Sequence, residues 1–252
     1  MPTVEEALPQ VRDSICAVMR IVRKKKKKRR RKADASTHVE IRLAFVGTAW
    51  CVVESKLIVT AHHVLNGGND RDQADRFYVF TVPGNKQKAY HFPVVGFPLE
   101  DSKTDIAVLE LGDPKEKGQT IPPVPVSFSS AADGSRVLTI GFPSPKISGA
   151  NVNPEGEFLG GGDFFLKSHV NEGVIAAQYE LDGKLYYEFN VGWHHGESGG
   201  PVFRIDSEPA VISIMQDYRN VDTPHGIMPG PHRGIAIAAA KEPLLDLGAS
   251  EA

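Results

Sequence analysis

Ser198 sits in a glycine frame, Gly196-Glu197-Ser198-Gly199-Gly200-Pro201, and a strand-like Val-Phe-Arg-Ile follows it. Glycines on both sides of a serine let the backbone take φ values closed to other residues and let a substrate approach the main chain. Such a turn can expose the Ser198 hydroxyl and aim the N–H groups of Gly196 and Ser198 at one point. Donors of that kind, directed at a developing oxyanion, contribute roughly 10²–10³ in rate each. A surface turn would have the same glycine content, but a flexible linker would not run straight into an apolar strand.

A serine nucleophile needs a base, and the base needs a group to orient it. His63 follows the apolar run Leu57-Ile58-Val59-Thr60-Ala61, which can act as a rigid mount for an imidazole. Asp105 opens the apolar stretch Ile106-Ala107-Val108-Leu109. An aspartate there can cap a turn or, half-buried, hold the second nitrogen of a histidine. Together the three residues supply nucleophile, base and orienter for acyl transfer.

The elements that must position them are short and β-rich. With 24 glycines and 18 prolines in 252 residues, and apolar runs of modest length, the chain reads as strands joined by many turns. Strands are expected over 14–22, 39–46, 47–53, 57–65, 77–82, 90–97 and 104–111. After a Pro-rich stretch they resume over 135–143, 164–167, 173–179, 184–190, 202–205, 210–215 and 234–238. Residues 4–13 form a helical turn or an extended arm, 144–162 a long loop, and 241–247 a short closing helix with Pro243 in its first turn. The expected class is all-β: two antiparallel six-stranded barrels with a short C-terminal helix. The N-terminal barrel would span 11–115 and carry His63 and Asp105. A linker covers 116–134, and the C-terminal barrel, 135–252, carries Ser198.

Charge is unevenly placed. Ten consecutive cations begin at Arg23 and end at Lys32, and net charge is −2. Removing them from the 29 basic residues leaves 19 against 31 acidic ones, a body near −12. The run falls in an expected hairpin loop, 23–38, held extended and mobile by self-repulsion. A solvated spacer is one reading. The other is an electrostatic clamp for an anionic partner (nucleic acid, acidic protein or membrane surface), or a nuclear localisation signal in a eukaryotic source. No aromatic residue interrupts the run to stack on bases.

No stretch approaches the ~20 apolar residues of a membrane span, and the acidic N-terminus lacks a secretion-signal pattern. A cytoplasmic protein is the expectation. Its two cysteines, Cys16 and Cys51, are then expected as reduced thiols. No spacing suggests a metal, and no cofactor is expected.

The order His63, Asp105, Ser198, in the segments LIVTAHHV, TDIAVLEL and GESGGPVF, resembles trypsin-like serine proteases of the chymotrypsin fold. The nearest likeness is to the HtrA-type protease domain, with no PDZ module expected after Ala252. It extends to Gly47-Thr48-Ala49-Trp50, Gly141-Phe142-Pro143 and the late Arg233-Gly234-Ile235-Ala236 strand. The resemblance implies a serine endopeptidase with His63 as base, Asp105 as its orienting acid and Ser198 as nucleophile. It also implies an oxyanion hole at Gly196 and Ser198, and peptide or protein substrates. His62 stands where an alanine is usual. Glu197 replaces the usual aspartate or asparagine before the serine, and cleavage-generated activation is not expected. The same resemblance places a specificity pocket at Gly192, His195, Met215 and Gly234, suited to a small or medium apolar side chain. A latent or inactive binding module on the same fold, activated or recruited through a partner, is the alternative.

Overall fold

The structure is a computed structural model that describes residues 3–27, 37–66, 76–85, 88–205, 208–224 and 226–252. It opens with helix α1, Val4–Val11. The helix starts where it does because Thr3 and Glu6 cap it reciprocally. The Glu6 N–H donates to the Thr3 hydroxyl at 3.3 Å, and the Thr3 N–H donates to the Glu6 carboxylate at 2.8 Å.

Six strands then close into the first barrel: β1 (Ile15–Lys27), β2 (Thr37–Val53), β3 (Leu57–Ala61), β4 (Phe77–Thr81), β5 (Tyr90–Asp101) and β6 (Ile106–Leu111). Their order around the barrel is β1-β2-β3-β6-β5-β4, closed where residues 16–20 of β1 pair with β4. Every residue of β3 and of β4 is buried, which is why both read as unbroken apolar runs.

Two of the sequence expectations change here. The second and third expected strands are one continuous β2, bent where Val46 is inserted opposite Val18 and Met19. The hairpin loop expected over 23–38 is also shorter. Backbone pairing runs through Arg23↔Ile41 and Lys24↔Glu40 to Lys27↔Thr37. A ladder is held by main-chain hydrogen bonds, and cationic side chains do not remove the N–H and C=O groups that make it. The remainder of the cationic run, Lys28 to Lys32, lies outside the described residues.

The inter-barrel segment carries no named strand, although Val126 bridges to Val211 and Glu251. The second barrel begins with β7 (Arg136–Gly141). The stretch expected as a loop then folds into two small ribbons: β8 (Lys146–Ser148) with β11 (Asp163–Phe165), and β9 (Asn151–Val152) with β10 (Phe158–Gly160). Phe158 and Phe164 from these ribbons pack on Phe80 of the first barrel, with ring centroids 5.6 and 5.1 Å away. The barrel continues with β12 (His169–Leu181), β13 (Lys184–Phe189), β14 (Pro201–Arg204), β15 (Ala210–Thr223) and β16 (Gly226–Ala236). Their order, β12-β13-β16-β15-β14-β7, again closes. Helix α3, Lys241–Asp246, ends the fold.

One hydrophobic cluster runs from Ile15, Trp50 and Phe92 of the first barrel to Ile140, Phe203 and Ile214 of the second. The two barrels are therefore seated on shared apolar core. Cys16 and Cys51 lie within it as free, fully buried thiols. Burial pushes the Cys51 thiol up to about 12.

Candidate active site

His63 stands on a single helical turn, α2 (His62–Asn66), directly after β3. Strand register brings Asp105 to it. Ala61 pairs with Ile106, so the residue before Ile106 lies across from the start of α2. Asp105 turns into β6 with φ 56°, a left-handed conformation that aspartate tolerates better than most side chains. Asp101 shapes that turn by accepting from the Lys103 N–H and the Thr104 hydroxyl, both at 2.8 Å.

The result is a threefold join. The His62 N–H donates to the Asp105 carbonyl at 3.0 Å, and the His63 N–H donates to Asp105 Oδ1 at 2.8 Å. The remaining carboxylate oxygen, Oδ2, lies 2.7 Å from His63 Nδ1. That leaves Nε2 as the ring nitrogen turned away from the carboxylate. Desolvation alone would lower the imidazole pKa. The hydrogen bond and charge of Asp105, aided by Asp217, outweigh it and hold the pKa above the usual 6.5.

Ser198 arrives from the second barrel. Residues 194–197 form a tight turn closed by the Glu197 N–H on the His194 carbonyl at 3.0 Å, with Gly196 at φ 101°. A turn with positive φ at its third residue is type II, which glycine permits. The N–H groups of Gly196 and Ser198 make no hydrogen bond among the described residues. The turn is pressed against the first barrel. A Cβ on Gly199 would lie 2.2 Å from Thr60 Oγ1 and 2.4 Å from the Thr48 carbonyl.

Thr48 is the residue the sequence did not single out. Its N–H donates to the Ser198 carbonyl at 2.9 Å, and its hydroxyl donates to the Gly196 carbonyl at 2.7 Å. The same hydroxyl accepts from the Phe142 N–H at 3.0 Å. One side chain thus ties the serine turn to both barrels. Gln216 makes a second tie: its amide donates to the Thr104 carbonyl at 3.1 Å, and its own carbonyl accepts from Ser198 Oγ at 3.3 Å.

Behind the turn, Glu197 is fully buried. One carboxylate oxygen accepts from the His194 N–H, while the other has no partner among the described residues. Desolvation raises its pKa, with partial relief from that backbone donor and from the charges of His194 and His169.

His63 and Ser198 open on one cleft of about 860 Å³ between the barrels. Arg42, Phe45 and Val46 of β2 form one wall, and Pro145, His195 and Gly196 lie on the other. A smaller hollow of about 240 Å³ shares only His63 with it and contains Gln216, Asp217, Tyr186 and Arg233. There Arg233 grips Asp217 with two parallel bonds, at 3.1 and 2.8 Å.

Of the residues expected to form a specificity pocket, Gly192 and His195 are exposed near the serine. Met215 is not a pocket surface. It is fully buried in the core of the second barrel, where its methyl crowds Gly200. Gly234 is also packed away, since a Cβ there would lie 2.5 Å from the Ile214 carbonyl. Beside Gly192 lie His232, whose Nε2 would be 3.8 Å from a Cβ on Gly192, and Trp193, whose ring centroid is 4.8 Å from that of His232.

Residues 47–212 match the family model of the trypsin-like peptidase domain. The chain belongs to the trypsin-like peptidase family. Among solved structures, this trypsin-like domain is similar to the HtrA-type protease AlgW with decapeptide, at 16% identity and TM-score 0.63, over 98% of this chain and 67% of that one. A serine-to-alanine variant of AlgW with decapeptide is similar at 16% identity and TM-score 0.62, over 99% and 68%. No curated protein matches the chain. At these identities the structural likeness establishes the chymotrypsin-like fold. No helix among the described residues is long and apolar enough to cross a membrane.

Proposed function

We propose that the protein is a serine endopeptidase that cleaves peptide bonds through an acyl-enzyme. The observation that carries the reading is the twofold hydrogen bonding of Asp105 to His63, which lines the same cleft as Ser198. In the proposed reaction Ser198 Oγ attacks the scissile carbonyl and passes its proton to His63 Nε2. The carbonyl oxygen becomes an oxyanion that accepts from the uncommitted N–H groups of Gly196 and Ser198. The C–N bond then breaks, and the leaving amine takes the proton from His63. Water repeats the sequence, with His63 as its base, and frees the acid and Ser198. Asp105 keeps Nδ1 protonated and stabilises the imidazolium between steps.

A second, latent reading has one observation in its favour. The Ser198 hydroxyl donates to the Gln216 carbonyl, so attack requires it to leave that acceptor and turn to His63. A fluorophosphonate probe distinguishes the two. An active peptidase labels at once and Ser198→Ala does not; a latent one labels only after a partner or substrate is added. Failure to label under every condition would sink the enzyme reading.

A further inference from the structure

The cleft wall and the cationic run lie on neighbouring, paired strands. β2 pairs with β3 only from Trp50 to Val53 and bonds the Ser198 carbonyl at Thr48, so over 37–47 β1 is its one partner strand among the described residues. Part of that stretch walls the cleft: Arg42, Leu43, Ala44, Phe45 and Val46. Going back from Arg42, the same strand leaves the barrel. Pairing of β1 with β4 stops at Arg20, and the β1–β2 ladder continues, with no third strand among the described residues, through Arg23↔Ile41 and Lys24↔Glu40 to Lys27↔Thr37. The cleft wall therefore continues as a two-stranded ribbon in which five consecutive residues, Arg23 to Lys27, are cationic and face one acid, Glu40. Arg23 also fixes the base of the ribbon, donating to the Glu155 carbonyl at 3.1 Å. That acceptor is a neutral carbonyl.

We propose that this ribbon is an exosite for an acidic stretch of the polypeptide being cleaved, a reading that rests on the peptidase function above. At about 3.3 Å per residue, the five-residue step from Arg42 to Thr37 spans about 17 Å. An extended substrate leaving the cleft along β2 meets the first cation, Arg23, opposite Ile41 and passes the last, Lys27, opposite Thr37, all within about five residues of Arg42. The β2 edge without a partner strand among the described residues favours a polypeptide over a nucleic acid, because its main-chain N–H and C=O groups pair with a peptide backbone and nucleic acid offers no such ladder. The cationic run also holds no aromatic residue on which bases could stack. The acidic body adds discrimination. It repels acidic chains elsewhere on the surface, so the ribbon is where such a chain is drawn in, toward the cleft.

Charges at this distance from the reacting bond contribute equally in ground and transition states, so the effect belongs in KM and not in kcat. The test uses the full chain and a ribbon variant carrying Lys24→Gln, Lys25→Gln, Lys26→Gln and Lys27→Gln. A peptide built on the best site from cleavage profiling is extended at either end with a run of glutamates or of serines. Several exposed charge pairs acting together predict that glutamates at one end raise kcat/KM by about tenfold or more over serines. The gain should vanish in the variant and in about 1 M salt, where screening acts within roughly 3 Å. The unextended peptide should be cleaved alike by both proteins. Equal rates for both tails, or a gain that survives in the variant, would overturn the exosite.

A binding arm reads the ribbon without catalysis. Ser198→Ala protein should bind the glutamate-tailed peptide about tenfold more tightly than the serine-tailed one, and lose that preference when the four lysines are also replaced. Absence of the preference overturns the exosite whatever the cleavage assay shows. Tighter binding of a single-stranded oligonucleotide than of the glutamate-tailed peptide overturns the assignment to polypeptide. Intact binding without cleavage by wild type counts against the peptidase reading alone.

Discussion

Both carboxylate oxygens of Asp105 are committed to one residue, one to the His63 backbone N–H and one to its imidazole Nδ1. Asp105 therefore fixes where His63 begins as well as how its ring is turned. Replacement by asparagine keeps the shape but presents an amide to Nδ1, favouring the wrong tautomer. Asp105→Asn should lower kcat by about 10⁴ with little change in thermal stability. Steady-state kinetics with a melting curve checks this, and a loss of less than tenfold would remove Asp105 from the proposed mechanism.

The same pair sets a pH dependence. His63 must be neutral to accept a proton, and its pKa is held above 6.5 because Asp105 and Asp217 outweigh desolvation. The acidic limb of kcat/KM should therefore rise with a midpoint above 6.5. Asp217→Asn removes one of the two charges and should move that midpoint down. A midpoint unmoved by this change would argue against the electrostatic account.

Glu197 titrates in the opposite sense from an ordinary surface carboxylate. Burial raises its folded-state pKa above the ordinary 4.5 of a glutamate, so the folded protein binds that proton more tightly than the unfolded chain. Its contribution to stability is fully present below about 4.5 and is lost as pH rises through the raised pKa. Glu197→Gln cannot ionise and still accepts from the His194 N–H. Melting temperatures should differ least near pH 4 and favour the variant increasingly toward neutrality. Parallel curves would show that Glu197 has a compensating partner.

Gly199 and Thr48 test how the turn is mounted. Gly199→Ala places a Cβ 2.2 Å from Thr60 Oγ1 at a backbone φ of 83°. It should cost about 3 kcal/mol or more in urea denaturation. Thr48→Val removes the hydroxyl shared by the Gly196 carbonyl and the Phe142 N–H. Stranding those groups should cost about 1–3 kcal/mol and depress kcat, while Thr48→Ser restores both. Wild-type kcat in Thr48→Val would exclude a role for this link in shaping the turn.

The two thiols should be inert in the folded state. Cys16 and Cys51 are buried, and burial raises both pKa values. Iodoacetamide at neutral pH should modify neither until denaturant is added. Rapid native labelling would show that the first barrel opens locally.

Much of the site was legible because its residues sit in local patterns. An apolar run ending in His63, an acid opening another at Asp105 and a glycine-framed Ser198 are readable from neighbours alone. Most strands and the closing helix follow from the same short-range signals, although the strand expected over 57–65 ends at Ala61 and His62–Asn66 turn helical. Burial of Met215 was not legible, because the inward face of its strand can be seen only once β14 and β16 lie beside it. The ribbon was foreshortened for a related reason, since side-chain charge signals solvent while main-chain pairing is indifferent to it.

By itself, then, the order of residues determined the class of fold and singled out the three side chains proposed for acyl transfer. The tertiary structure decided their relations. Register between β3 and β6 set Asp105 against His63, and closure of two barrels on a shared core laid the serine turn against Thr48 and Thr60. The continuity of β2 joined the cleft to the cations. Each of these depends on pairing between segments distant in sequence, which hydrogen bonding and close packing settle only when the whole chain is folded.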